Sequence, residues 1–185
     1  MTDRTAAFEP LPEKYRNRAG RWLTSSIVHD EVPATCHPLG PNSKLVFSPR
    51  IVTGTSAPTS SRISVGGKSP LTGTMKEANA GTGWGLRLAR LGIRAIVIEG
   101  QPQDDGFWLL KVAKGGASFE PADGWTGKRL SEVYPDVFGV HGGHDAVDVC
   151  SIGVAGEHRM AAAGCASTTR AAGRVATPGA EGSAR

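Results

Sequence analysis

The stretch from Val52 to Gly81, VTGTSAPTSSRISVGGKSPLTGTMKEANAG, holds the residues best suited to chemistry. Two cations, Arg62 and Lys68, stand inside a run of Gly, Ser, Thr and Pro. Glycine lets a backbone turn tightly and come close to a ligand. Successive backbone N–H groups form concavities that take anions. A guanidinium adds bidentate recognition of phosphate. The pattern suits the holding of an anion. A turn-rich surface with hairpins accounts for the same composition, so both readings stand at this level.

Other candidate ligands are thin. Cys36 and His37 are adjacent in a loop with three prolines, and a metal needs more partners than these two. His141 and His144 flank two glycines with no carboxylate or thiol set beside them, so a solvated loop is expected. The three cysteines, at 36, 150 and 165, form no CxxC pair. Neither a disulfide framework nor a zinc ribbon follows from them, and reduced thiols in a cytoplasmic protein are expected. No GxxxxGK[ST] is present, and the glycines at 81–85 do not form a GxGxxG after a strand, which argues against a nucleotide-binding domain.

The totals bound the rest. The chain has 185 residues, 39% of them hydrophobic and 21% charged, enough for one domain with tails. Its 25 glycines and 12 prolines favour many turns and short strands. The net charge of +4 comes from scattered basic residues and suits an anionic ligand. Aromatics at 6% do not interleave with basic residues, so no nucleic acid is expected. The N-terminus carries no apolar signal core, and no apolar run approaches the ~20 residues of a membrane span.

The elements that must position these residues follow from periodicity and punctuation. A helix is expected from Pro12 and must end by Val32, ahead of Pro33. Strands are expected at 44–48, 62–65, 95–99, 107–113, 118–120 and 145–152. Residues 101–106 read as a hairpin connection between the third and fourth of these, and 68–73 as a turn. Helices are expected at 76–91, capped by Gly92, and at 125–137, where Pro135 argues for a late break. Small residues at 78–85 would allow close approach of a ligand to a helix start, or tight packing of that helix on a sheet. Residues 157–167 suit strand or helix, and the tail beyond Arg174 is expected to be disordered. The fold class expected is α+β, a mostly antiparallel sheet with a few short helices.

From LGPNSK through IRAIVIEG, and more thinly through WTGK, SIGVAGE and RAAGR, the chain resembles the N-terminal domain of the aldehyde ferredoxin oxidoreductase family. The resemblance divides it into a polar segment with a helix at 1–36, a cofactor domain at 37–174 and a tail at 175–185. It implies a β-rich base for tungstopterin or molybdopterin, with the remaining domains or a downstream polypeptide covering the cofactor. Arg62, Asn79, Gly81, Arg170, Ala171, Gly173 and Arg174 match cofactor-binding positions. Asn79 and the carbonyl of Ala171 match positions near a magnesium ion that bridges the pterin phosphates. No catalytic residue is implied here. The complete family oxidises aldehydes to carboxylates and passes electrons through a [4Fe–4S] cluster to a ferredoxin-type acceptor, and a related branch reduces aromatic acyl thioesters.

The chain departs from the family pattern in three places. Gly20-Arg21-Trp22-Leu23 puts Trp where the family has Gly. After RAAGR the chain reads VATPGAEGSAR, which is expected of a truncation or a shifted reading frame. Cys36, Cys150 and Cys165 match none of the cluster cysteines, and four thiolates hold such a cluster. The alternative is therefore a non-catalytic remnant or interaction module.

Overall fold

The computed structural model describes residues 4–168 and, by their backbone, 175–176. Its centre is a four-stranded antiparallel sheet. β1 (Lys44–Pro49) lies between β2 (Arg62–Lys68) and β4 (Ile96–Glu99), and β3 (Met75–Gly81) is the edge beyond β2. A hairpin of β5 (Trp108–Ala113) and β6 (Gly116–Pro121) and a small sheet of β7 (Cys150–Ile152), β8 (Cys165–Thr168) and β9 (Val175–Ala176) complete the strands. The α+β expectation, mostly antiparallel with short helices, holds.

Helices cover the central sheet unequally. α1 (Gly20–Glu31) packs Leu23, Ile27 and Val28 against Val46 and Tyr15 on one face. The approach is close because Gly66 has no side chain: a Cβ there would stand 2.7 Å from Thr24 Cβ. α2 (Gly83–Arg90) packs Leu88 against Phe47 and Ile63 on the other face. Trp84 meets Phe47 edge to face, with ring centroids 5.2 Å apart. α2 closes on Gly92 at φ +78°, where Ile93 N–H donates to Leu88 O and Gly92 N–H to Ala89 O, the double bond of a Schellman stop. α3 (Leu130–Val140) makes its own cluster from Val133, Tyr134, Val137 and Val149. α4 (Val154–Glu157) is one turn.

Several expectations give way. Residues 76–91 are not one helix, because β3 pairs with β2 through seven register positions and only the second half coils as α2. β2 runs on through residues 66–68, past the expected strand end at Val65. β4 and β5 are not a hairpin: β4 pairs with β1, and β5 pairs with β6. The first helix starts at Gly20 after a 3-10 turn at Glu13–Tyr15, since Ala19 is extended and Gly20 takes φ +55°. α3 begins at Leu130 and passes through Pro135 to Val140. The strand expected at 145–152 is confined to β7, because Ala146 and Val147 N–H turn back onto Gly143 O.

Candidate functional site

The register of β2 and β3 brings three expected cofactor residues to one end of the central sheet. Arg62 stands opposite Gly81, and Ser64 opposite Asn79. Arg62 Nη1 donates to Asn79 Oδ1 at 2.7 Å, so the amide holds the guanidinium over the strand pair. Arg62 and Gly81 are both exposed.

The glycines nearby divide by environment. A Cβ at Gly81 would meet nothing within 4 Å, so its backbone is open to approach. A Cβ at Gly83 would stand 2.4 Å from Asp148 Oδ1, and one at Gly85 2.9 Å from Ile63 Cβ. Gly83 and Gly85 are therefore required by packing, and Gly81 is not. The start of α2 is likewise closed to an outside anion. Thr82 Oγ1 accepts from Gly85 N–H, and the Asp148 carboxylate, ion-paired to Arg87, fills the space beside Gly83.

Two further groups join Arg62 that sequence reasoning missed. Arg50 follows β1, and its N–H donates to Arg62 O at 3.2 Å, which extends the register by one and sets the two arginines side by side. The first turn of α1 lies at the same end. Gly20 N–H donates to Ser48 Oγ at 3.0 Å, and a Cβ on Gly20 would stand 2.9 Å from Arg50 Cγ. The positive end of the α1 dipole thus adds to two guanidinium groups. The signal in the sequence is the Gly20-Arg21-Trp22-Leu23 run, but only the packing of α1 on the sheet shows that Gly20 meets Arg50.

Lys68 does not join them. It lies at the far end of β2, roughly 20 Å along a strand rising ~3.3 Å per residue. Its Nζ donates to Ala34 O at 2.5 Å and Cys36 O at 2.7 Å, tying down the loop after α1. His37 Nδ1 accepts from Leu39 N–H at 3.2 Å, and His144 stacks on Phe138 with centroids 4.7 Å apart. Among the described residues no group of three His, Cys, Asp or Glu could hold a metal ion. Arg170, Ala171, Gly173 and Arg174 lie outside the described residues, as does most of the expected tail.

These residues fit a phosphate: the Arg62 guanidinium and the open Gly81 lie at one end of the sheet, with Arg50 and the start of α1 beside them. Of the expected magnesium pair, Asn79 is described and Ala171 lies outside the described residues. Asn79 Oδ1 is turned to a cation already, and a divalent ion at the same oxygen would meet the Arg62 guanidinium.

Comparison with known proteins decides the lineage. The family model described as aldehyde ferredoxin oxidoreductase, N-terminal domain, matches residues 1–182. The chain belongs to this family. It is 35% identical over 167 residues to the tungsten-containing aldehyde ferredoxin oxidoreductase of Pyrococcus furiosus, covering 90% of this chain and 27% of that protein. The enzyme of the same name from Thermococcus kodakarensis is 34% identical over 168 residues, with 90% and 27% covered. That of Pyrococcus abyssi is 33% identical over 180 residues, with 94% and 29% covered. This member of the family thus spans between a quarter and a third of the length of these relatives. A solved structure of the active-site complex BamBC of benzoyl coenzyme A reductase with 1,5-dienoyl-CoA shares its fold. The TM-score is 0.76 at 24% identity, over 87% of this chain and 24% of that one. No helix among the described residues is long and apolar enough to cross a membrane.

Proposed function

We propose that this domain binds the phosphate end of a tungstopterin as part of an aldehyde-oxidising enzyme with an iron–sulfur electron acceptor. The observation that carries the reading is the convergence of Arg62, Asn79 and Gly81 at one end of β2 and β3. Arg62 neutralises and orients a phosphate through its planar fork. Asn79 fixes the direction of that fork, and Gly81 lets the anion reach the backbone. Arg50, bonded through its N–H to Arg62 O, and the start of α1 add positive potential beside the strand pair. Arg170, Ala171, Gly173 and Arg174 would contribute further phosphate contacts. When bound, the cofactor would supply the two-electron chemistry.

The chain does not hold the iron–sulfur cluster. Four thiolates are needed, and its three cysteines lie in the loop before β1 and on β7 and β8. Electrons must then leave through a partner polypeptide or further domains, and the chain alone turns over no aldehyde.

The test is co-expression with the polypeptide that carries the cluster cysteines, followed by tungsten and pterin analysis of the purified complex. We expect stoichiometric pterin in the wild type and its loss in Arg62→Ala with the complex intact. Equal pterin content in the two complexes would remove Arg62 from the site. Aldehyde oxidation by the purified chain without a partner would overturn the division of labour.

A further inference from the structure

On the opposite face of the central sheet from Arg62, a cavity of about 780 Å³ lies between the sheet, α2, the β5–β6 hairpin and α3. Its walls are largely apolar, with Phe47, Trp84, Leu110 and Val137 among them, and Cys150 and Cys165 both line it. The β7–β8 register explains why two cysteines distant in sequence meet there. Cys150 pairs with Ser167, and Ile152 pairs with Cys165. Side chains two apart on a strand share a face. Cys150 and Cys165 are thus diagonal neighbours on one side of the small sheet, both free and both half-buried.

We propose that Cys150 and Cys165 form a binding site for a soft, two-coordinate monovalent cation of the copper(I) class.

Geometry separates this from a disulfide. Diagonal positions on paired strands are about 7–8 Å apart. A disulfide needs its Cα atoms within about 7 Å and its sulfurs at about 2.05 Å. Two sulfurs that share an ion at roughly 2.3 Å each stand about 4.5 Å apart, a span that suits a diagonal pair better than a direct S–S bond does.

Ligand type and number narrow the ion. Thiolates select soft metals. No third His, Cys, Asp or Glu among the described residues joins the pair. Zinc and iron–sulfur clusters require four ligands, whereas a d¹⁰ monovalent ion is satisfied by two in a line. Charge agrees with this choice. The two thiols hydrogen-bond each other, which holds Cys165 below the ordinary thiol value and, with burial, pushes Cys150 above it. The pair thus shares one proton when singly ionised, and the ion takes that proton's place between the sulfurs. One cation enters, one proton leaves to solvent, and the buried charge is unchanged.

The reduced full chain, kept anaerobic, is titrated with copper(I) against a chromophoric copper(I) chelator. One ion per chain is expected for wild type and for Cys36→Ser. Cys150→Ser and Cys165→Ser should each weaken binding about tenfold or more. X-ray absorption of the wild-type complex should show two sulfur neighbours. Unchanged affinity in either serine variant, or a first shell with three or more ligands, overturns the assignment. So does loss of two hydrogens from the native chain, with disappearance of both thiols, on treatment with a small-molecule disulfide. If the serine variants fail to fold, the wild-type absorption spectrum decides the question alone.

Discussion

Arg62 Nη1 donates to Asn79 Oδ1 at 2.7 Å across the β2–β3 pair, two residues along β3 from the Gly81 that Arg62 faces. In the proposed site Asn79 would act on an anion through Arg62. Replacing Asn79 with Ala should lower pterin retention in the complex less than Arg62→Ala does, by about tenfold for one lost charge-assisted bond. The bond is exposed, so the melting temperature should move little. Pterin retention after dialysis, read beside a thermal melt, checks both parts.

The glycines of the site divide fold from function. Gly66→Ala forces a Cβ onto Thr24 and should cost about 1–3 kcal/mol, the usual penalty of overpacking. Gly81→Ala meets nothing within 4 Å and should leave unfolding unchanged while it reduces pterin content. Denaturant melts of the two variants, set against cofactor analysis, should show opposite patterns.

Arg87 and Asp148 join α2 to the segment before β7, and the Asp148 side chain is 1% exposed. Removing the arginine as Arg87→Met leaves that carboxylate buried and uncompensated, which should cost about 3 kcal/mol. Restoring charge balance with Asp148→Asn in the same chain should recover part of the loss. A double-mutant cycle by urea unfolding measures the coupling.

Acid weakens the α1 end of the fold in a defined window. Burial pushes the Glu31 carboxyl up, but hydrogen bonds from Lys44 and Tyr15 outweigh it and hold Glu31 below its ordinary 4.5. A depressed carboxylate contributes stability that is fully present above 4.5 and is lost as pH falls through the folded value. Glu31→Gln should therefore flatten the melting-temperature profile below that pH and lower stability above it. Thermal melts between pH 3 and 7, roughly the span in which carboxylates titrate, supply the comparison.

The strands richest in branched apolar residues are legible in the residue order alone: LVFS in β1, IVIE in β4 and WLLKVA in β5. Their partners are not. β4 reads as half of a hairpin because QPQDDG is good local turn chemistry, yet its pairing is with β1, set by tertiary burial of Ile96 and Ile98. β3 reads as the start of a helix because MKEANAG is small and polar with no β-branched residue. Pairing with β2 overrides that weak preference. Arg62, Asn79 and Gly81 are legible through resemblance. Arg50 is not, since its place depends on register. Lys68 reads as a companion of Arg62 only because the two are close along the chain, and a strand carries them to opposite ends of the sheet.

The central strand carries a consequence for how the chain is made. β1 emerges early from synthesis, but its second edge is sealed only when Ile96–Glu99 arrives to pair with Lys44–Phe47. Until then an apolar strand waits with one side unpaired. Loop closure of that length slows pairing, so β2 and α1 must guard β1 through the interval. A ribosome stalled before Ile96 would display an adhesive, half-finished sheet, and one stalled well after Glu99 would not.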